Sequence, residues 1–148
     1  MEHVVTEEKQ GEYRHTIGPF PEPILEVESG DRVVFETKDA FGGKIKDEET
    51  TPSEVLEGSN PVNGPVFVED AEKGDALKVS IESIKPRGDQ PRGTTRISPN
   101  FGGLAGTERV PTLGEPLPEI VKKVEVTEDA VIWDDEVTLP YKPLVGTI

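Results

Sequence analysis

The sequence predicts a mainly β fold, a sandwich or jelly roll with a long Pro/Gly-rich arm. Three observations carry this. Short apolar runs rich in β-branched and aromatic residues recur between turn signals. Helix signals are sparse. Fifteen Gly and 14 Pro punctuate 148 residues, which suits many short strands and tight turns rather than long helices.

Element by element, Glu22 to Thr37 reads as two strands around a turn. Ile24, Leu25 and Val27 precede Ser29-Gly30-Asp31, and Val33, Val34 and Phe35 follow. Gly30 can supply the positive φ that a tight reversal needs. Val66-Phe67-Val68 is a further apolar run. Leu77, Val79, Ile81 and Ile84 nearly keep period two, with Lys78, Ser80 and Glu82 between them, the pattern of a half-buried strand. Ile120 to Val126 and Ala130 to Trp133 predict strands joined by Thr127-Glu128-Asp129, and Val137 to Leu139 a last one before Pro140. Thr51-Pro52-Ser53-Glu54 opens a helix of about six residues, with proline near the first position and Gly58 beyond its end. The expected organisation is a polar segment over 1–14, a β-sandwich core over 15–85, an irregular arm over 86–118, and strands over 119–148 that complete the domain or lead into a second half. Six prolines and six glycines fall in the arm; they remove backbone donors and widen backbone freedom.

One motif repeats. Glu28-Ser29-Gly30-Asp31 precedes Val33-Val34-Phe35, and Glu72-Lys73-Gly74-Asp75 precedes Leu77-Lys78-Val79. Each Gly-Asp reads as a turn launching a strand, its Asp accepting local backbone N–H groups.

Charge narrows the function classes. Thirty Asp and Glu oppose 16 Lys and Arg, a net −14. A field of that sign repels phosphate backbones and anionic lipid, so neither nucleic acid nor a membrane surface is an expected partner. No apolar run approaches the ~20 residues of a membrane span. The absence of cysteine removes disulfides, thiol nucleophiles and thiolate-bound zinc. With no secretory signal at the start, the expected location is cytoplasmic.

Three segments could carry chemistry. Asp39 follows a strand and precedes Gly42-Gly43, which fits a site carboxylate and equally an Asx turn. Asn60-Pro61-Val62-Asn63-Gly64-Pro65 leads into Val66-Phe67-Val68-Glu69. Its two carboxamides and one carboxylate could hold an amide, or the segment could be a turn with local side-chain bonds. Asn60, before proline, is expected to be extended. Arg87, Arg92 and Arg96, with Asn100-Phe101-Gly102-Gly103 after them, are either solvated loop charges or an interface patch. His3 and His15 are the only histidines, and neither has a second His at ligand spacing. No Gly-x-Ser-x-Gly elbow or phosphate-binding loop is present.

Taken in order, Val27–Thr37, Asp39–Ile45, Asn60–Glu69, Ala71–Leu77 and Pro143–Ile148 resemble the amino-terminal half of the acetamidase/formamidase family. The resemblance implies a jelly-roll-like β-sandwich and hydrolysis of formamide, acetamide or a similar small amide to carboxylate and ammonia. It places Asp39 and Glu69 as catalytic residues and Asn60, Asn63, Gly64 and Lys44 as substrate-binding ones. Lys44 stands where the pattern has Gln. A divalent metal ion, zinc or calcium, is associated with some family members; its ligands are unknown from this sequence. Members are about twice this length, so the expected partner is a second half or subunit of the same enzyme, in a homo- or hetero-oligomer. The family pattern continues past Ile148, which suggests a truncated or separately encoded half. The other reading is a precursor cleaved after Ile148 to expose a terminal nucleophile. The competing function is a non-catalytic β-sandwich binding or assembly module.

Overall fold

A computed structural model describes residues 1–18, 21–55, 58–99 and 117–146. The chain is mainly β, of the sandwich class. It divides into two compact units: Met1–Gly43 with Glu57–Ser80, and Lys44–Leu56 with Ile81–Ile148.

The first unit contains β1 (Glu2–Val5), α1 (Glu7–Gln10), β2 (Leu25–Val27), β3 (Arg32–Phe35) and β4 (Val66–Val68). β1 runs parallel to β3, pairing Val5 with Phe35, and β2 runs parallel to β4, pairing Val27 with Val68. The run from Glu22 to Thr37 is therefore two strands around a turn, but each strand pairs with a distant segment. The turn forms as its residues dictate: Asp31 N–H donates to Glu28 O at 3.1 Å, and Gly30 has φ +94°. Thr6 caps α1, its hydroxyl accepting Lys9 N–H at 3.2 Å, as a short polar N-cap should. The segment expected to be merely polar thus supplies a strand and a turn of helix. Val5 (0 % exposed) and Val27 (7 %) are the buried apolar side chains of this unit; burying each contributes ~1.5–3 kcal/mol.

The second unit contains α2 (Pro52–Val55), β5 (Arg92–Ile97), β6 (Ile120–Val126), β7 (Ala130–Ile132) and β8 (Thr138–Pro140). The four strands form an antiparallel sheet in the order β5-β6-β7-β8. The β6–β7 turn closes where Thr127 N–H donates to Ala130 O at 2.8 Å and Ala130 N–H donates back to the Thr127 hydroxyl at 2.9 Å. The Asp134 carboxylate performs the same service for β7–β8, accepting Glu136 and Val137 N–H at 3.0 and 2.8 Å. Val121, Val124 and Ile45 are buried here. Lys123 joins the loop around Ile45 to the sheet, donating to Ile45 O at 3.0 Å and Thr94 Oγ1 at 2.6 Å.

Two expectations are corrected. Residues 92–97, within the arm expected to be irregular, form β5 and pair with β6 over six residues. Thr94, Thr95 and Ile97 are β-branched, and pairing outweighs the flanking prolines. Conversely, Leu77–Ile84 keeps its alternating pattern but is no strand, because no segment among the described residues lies beside it to complete a ladder. Asn100-Phe101-Gly102-Gly103 and the rest of the arm to residue 116 lie outside the described residues, as does Thr147-Ile148.

Candidate functional site

Two loops of the first unit meet. The Asp39 carboxylate is exposed and organises one: Oδ1 accepts Phe41 N–H and Gly43 N–H, both at 2.9 Å, while Gly42 N–H donates to Asp39 O. Gly42 and Gly43 both take positive φ, +65° and +70°, a path that L-residues with a Cβ resist. The Asx turn that the sequence allowed is therefore present. Both bonds use Oδ1, so Oδ2 is the oxygen open to a ligand.

The second loop runs through Asn60–Gly64. Asn60 N–H donates to Ala40 O at 2.7 Å, which seats this loop on the first. Asn60 has φ +57°, not the extended geometry expected before proline; asparagine tolerates the left-handed region better than most residues, and the bond to Ala40 holds it there. On its other side the loop is held by Arg14, whose carbonyl accepts Val62 N–H at 2.8 Å, and by His15, whose Nδ1 lies 2.8 Å from Ser59 O.

Gln10 anchors the far end of the loop. It is 4 % exposed. Its Oε1 accepts Gly64 N–H at 2.9 Å and Asn63 Nδ2–H at 3.2 Å, and its Nε2 donates to Gly64 O at 3.2 Å. Asn63 Nδ2 also donates to Glu36 O at 3.2 Å. The amide N–H groups of Asn63 are thus committed to structure, and its Oδ1 is what remains for a ligand. Gly64 has φ +90°, and a Cβ there would stand 3.3 Å from Val66 N. The Gly64–Pro65 peptide is cis.

The structure accordingly brings together Asp39, Asn60, Asn63 and Gly64. Glu69 lies apart: β4 separates it from Gly64, a rise of ~10 Å over three strand residues. Its N–H donates to Val27 O at 2.8 Å, extending the β2–β4 ladder, and its side chain is exposed. Lys44 is exposed and opens the second unit. Sequence reasoning missed Gln10 and the Glu36 carbonyl. A glutamine inside a polar, acidic stretch carries no pattern that marks it as buried, and the carbonyl has no side-chain signature at all. Among the described residues, no group of three or more His, Asp or Glu side chains could hold a metal ion. The two histidines serve the fold: His3 Nε2 lies 2.8 Å from Asp31 Oδ2, and His15 holds Ser59.

In the second unit, a shallow cleft of ≈ 230 Å³ is lined by Ser83, Ile84, Lys85, Pro86, Glu128 and Tyr141. It contains none of the residues singled out as site candidates from the sequence.

The arrangement of the first unit offers one exposed carboxylate and two carboxamides on a backbone fixed from three sides. Such a surface can hold a small polar ligand with both N–H and C=O groups. Three solved structures resemble the whole chain. The acetamidase from Yersinia enterocolitica is 46 % identical with a TM-score of 0.91 over 99 % of this chain and 45 % of its own. A predicted acetamidase/formamidase from the thermophile Thermoanaerobacter tengcongensis is 25 % identical with a TM-score of 0.71, over 95 % of this chain and 42 % of its own. The acetamidase from Bacillus halodurans, 24 % identical with a TM-score of 0.66 over 93 % of this chain and 42 % of its own, shows the shared fold. This chain therefore spans less than half the length of each. No curated protein matches it in sequence. The profile of the Acetamidase/Formamidase family matches residues 4–137, and the chain belongs to that family.

Proposed function

We propose that this chain forms part of an amidohydrolase that cleaves small linear amides, of the formamide or acetamide kind, to carboxylate and ammonia, and that activity needs a second half or subunit. The observation that carries this reading is the family match over residues 4–137, together with the likeness to the Yersinia enterocolitica acetamidase. The need for more polypeptide is supported by the 42–45 % of each solved chain that this one spans.

In this proposal Asp39 Oδ2 accepts a proton from the attacking water or a hydrogen bond from the amide N–H, and Asn60 and Asn63 Oδ1 orient the substrate. Gly64 keeps that wall in place through Gln10. Glu69 and Lys44 are assigned secondary parts, since neither shares the Asp39–Asn63 surface in the first unit. Zinc or calcium does not fit the described residues alone; an ion would need ligands from elsewhere in the assembly. The cytoplasmic setting read from the sequence belongs to the same proposal, and cell fractionation checks it.

The test is ammonia release from formamide and acetamide, by the chain alone and by the complete assembly. Activity is expected in the assembly only, and Asp39→Asn should lower its kcat about 100-fold or more. An assembly that hydrolyses no small amide would leave the binding or assembly module as the function.

A further inference from the structure

The repeated motif behaves as two copies of one device with different outcomes. At Glu28–Asp31, Asp31 N–H donates to Glu28 O at 3.1 Å and Glu28 N–H donates to Asp31 Oδ2 at 3.2 Å. At Glu72–Asp75, Asp75 N–H donates to Glu72 O at 3.0 Å and Glu72 N–H donates to Asp75 Oδ2 at 2.9 Å. Gly30 and Gly74 both carry positive φ, +94° and +112°. The first turn delivers the chain into β3, which pairs with β1. The second delivers it into Leu77–Ile84, which pairs with nothing among the described residues.

That segment has what a strand requires except a neighbour. Its alternating apolar side chains stand open: Leu77 is 71 % exposed, and Val79 and Ile81 are 54 % exposed. Leaving three such side chains in water forgoes ~1.5–3 kcal/mol for each. At its far end Ser83, Ile84, Lys85 and Pro86 line the cleft shared with Glu128 and Tyr141. The turn at one end and the cleft at the other bound the open stretch. The Yersinia enterocolitica acetamidase has this fold over 99 % of the chain, yet more than half of its polypeptide lies beyond the matched part.

We infer that Leu77–Ile84 is a docking strand, whose occupant is an apolar-faced β-strand from the remaining half of the acetamidase-type polypeptide. The inference rests on the two-part reading proposed above and gives it a location. The incoming strand completes the main-chain ladder, and its inward side chains cover Leu77, Val79 and Ile81.

A full-length chimera tests this, with these 148 residues replacing the matched part of the Yersinia enterocolitica acetamidase. Hydrogen exchange of the 76–85 peptide is measured in the free chain and in the chimera. The expected result is fast exchange in the free chain and slowing by about 100-fold in the chimera. Val79→Asp should leave the melting temperature of the free chain unchanged, because the side chain is already in water, and lower that of the chimera. Lys78→Glu, on the alternate face, should alter neither. Protection that appears in the free chain as its concentration rises would identify a second copy as the occupant and overturn the inference. So would a folded chimera in which 76–85 exchanges freely and Val79→Asp is neutral, or a chimera that does not fold, since matching faces would hold the join. Acetamide hydrolysis by the chimera reports separately on the amidase reading. An active chimera with an unprotected segment sinks the docking strand alone, and a protected but inactive one sinks the activity alone.

Discussion

The candidate site depends on one buried amide more than on any residue the sequence marked out. Gln10 satisfies both main-chain groups of Gly64 and one N–H of Asn63. Removing it strands a buried donor and acceptor at once. Gln10→Ala should therefore cost ~2–4 kcal/mol, since each unsatisfied buried group costs ~1–3 kcal/mol. Gln10→Met keeps the volume but not the hydrogen bonds, and should cost nearly as much. Urea midpoints of the two variants check this, and a benign Gln10→Met would mean that Gln10 only fills space. Asp31 makes a second prediction. Its carboxylate accepts from the Met1 ammonium, the His3 ring and Glu28 N–H, and in that order these hold it well below the usual carboxylate range. A depressed folded-state pKa means the unfolded chain takes up the proton first as pH falls. The stabilisation is thus complete above the ordinary value of 3.8 and is lost as pH drops below it. Melting followed from pH 6 to pH 2 should show a decline at the acid end that is shallower in Asp31→Asn, and that variant should melt lower at pH 6. Parallel acid limbs would show that the cluster contributes nothing.

At the scale of elements, what could be read from the sequence was whatever is decided locally. β6, β7 and β8 follow from apolar runs separated by residues that close turns, Thr127 and Asp134 among them. The two Gly-Asp turns follow from glycine's access to positive φ and from aspartate's reach to nearby N–H groups. What was not legible is what a distant partner decides. β1 is four residues of mixed polarity, stabilised as a strand by β3, and that parallel pairing spans 30 positions from Glu2 to Arg32. β5 was hidden between Pro91 and Pro99. Its Gly93 sits so close to the next strand that a Cβ would stand 2.9 Å from Val124 Cγ2, a reason for that glycine which only the β5–β6 register reveals. Leu77–Ile84 is the reverse case, a correct local pattern without its neighbour in the described residues. The site divides the same way. Asp39 and Gly64 were recognisable because their turns are local, whereas the role of Asn63 depended on Gln10, 53 positions away.

For the molecule as a whole, the acid excess decides how it responds to salt. Thirty acidic residues face 16 basic ones, so most carboxylates find more like charge than opposite charge within a Debye length of ~10 Å at 0.1 M. Opposing this are surface ion pairs such as Arg32–Glu2 at 3.3 Å, Lys38–Glu7 at 3.6 Å and Lys122–Asp134 at 3.9 Å. Pairs of this exposed kind contribute ~0–1 kcal/mol each. Salt screens both terms, but repulsion across a net −14 is the larger sum and acts against the folded chain, where the charges are closest together. Raising sodium chloride from 20 to 300 mM, roughly a fourfold shortening of the screening length, should therefore raise the melting temperature of the free chain by a few degrees. A lower melting temperature at high salt would place the ion pairs above the repulsion. The same screening should favour joining the chain to another acidic body, so docking at Leu77–Ile84 should tighten with salt, the opposite of what an interface built on ion pairs would do.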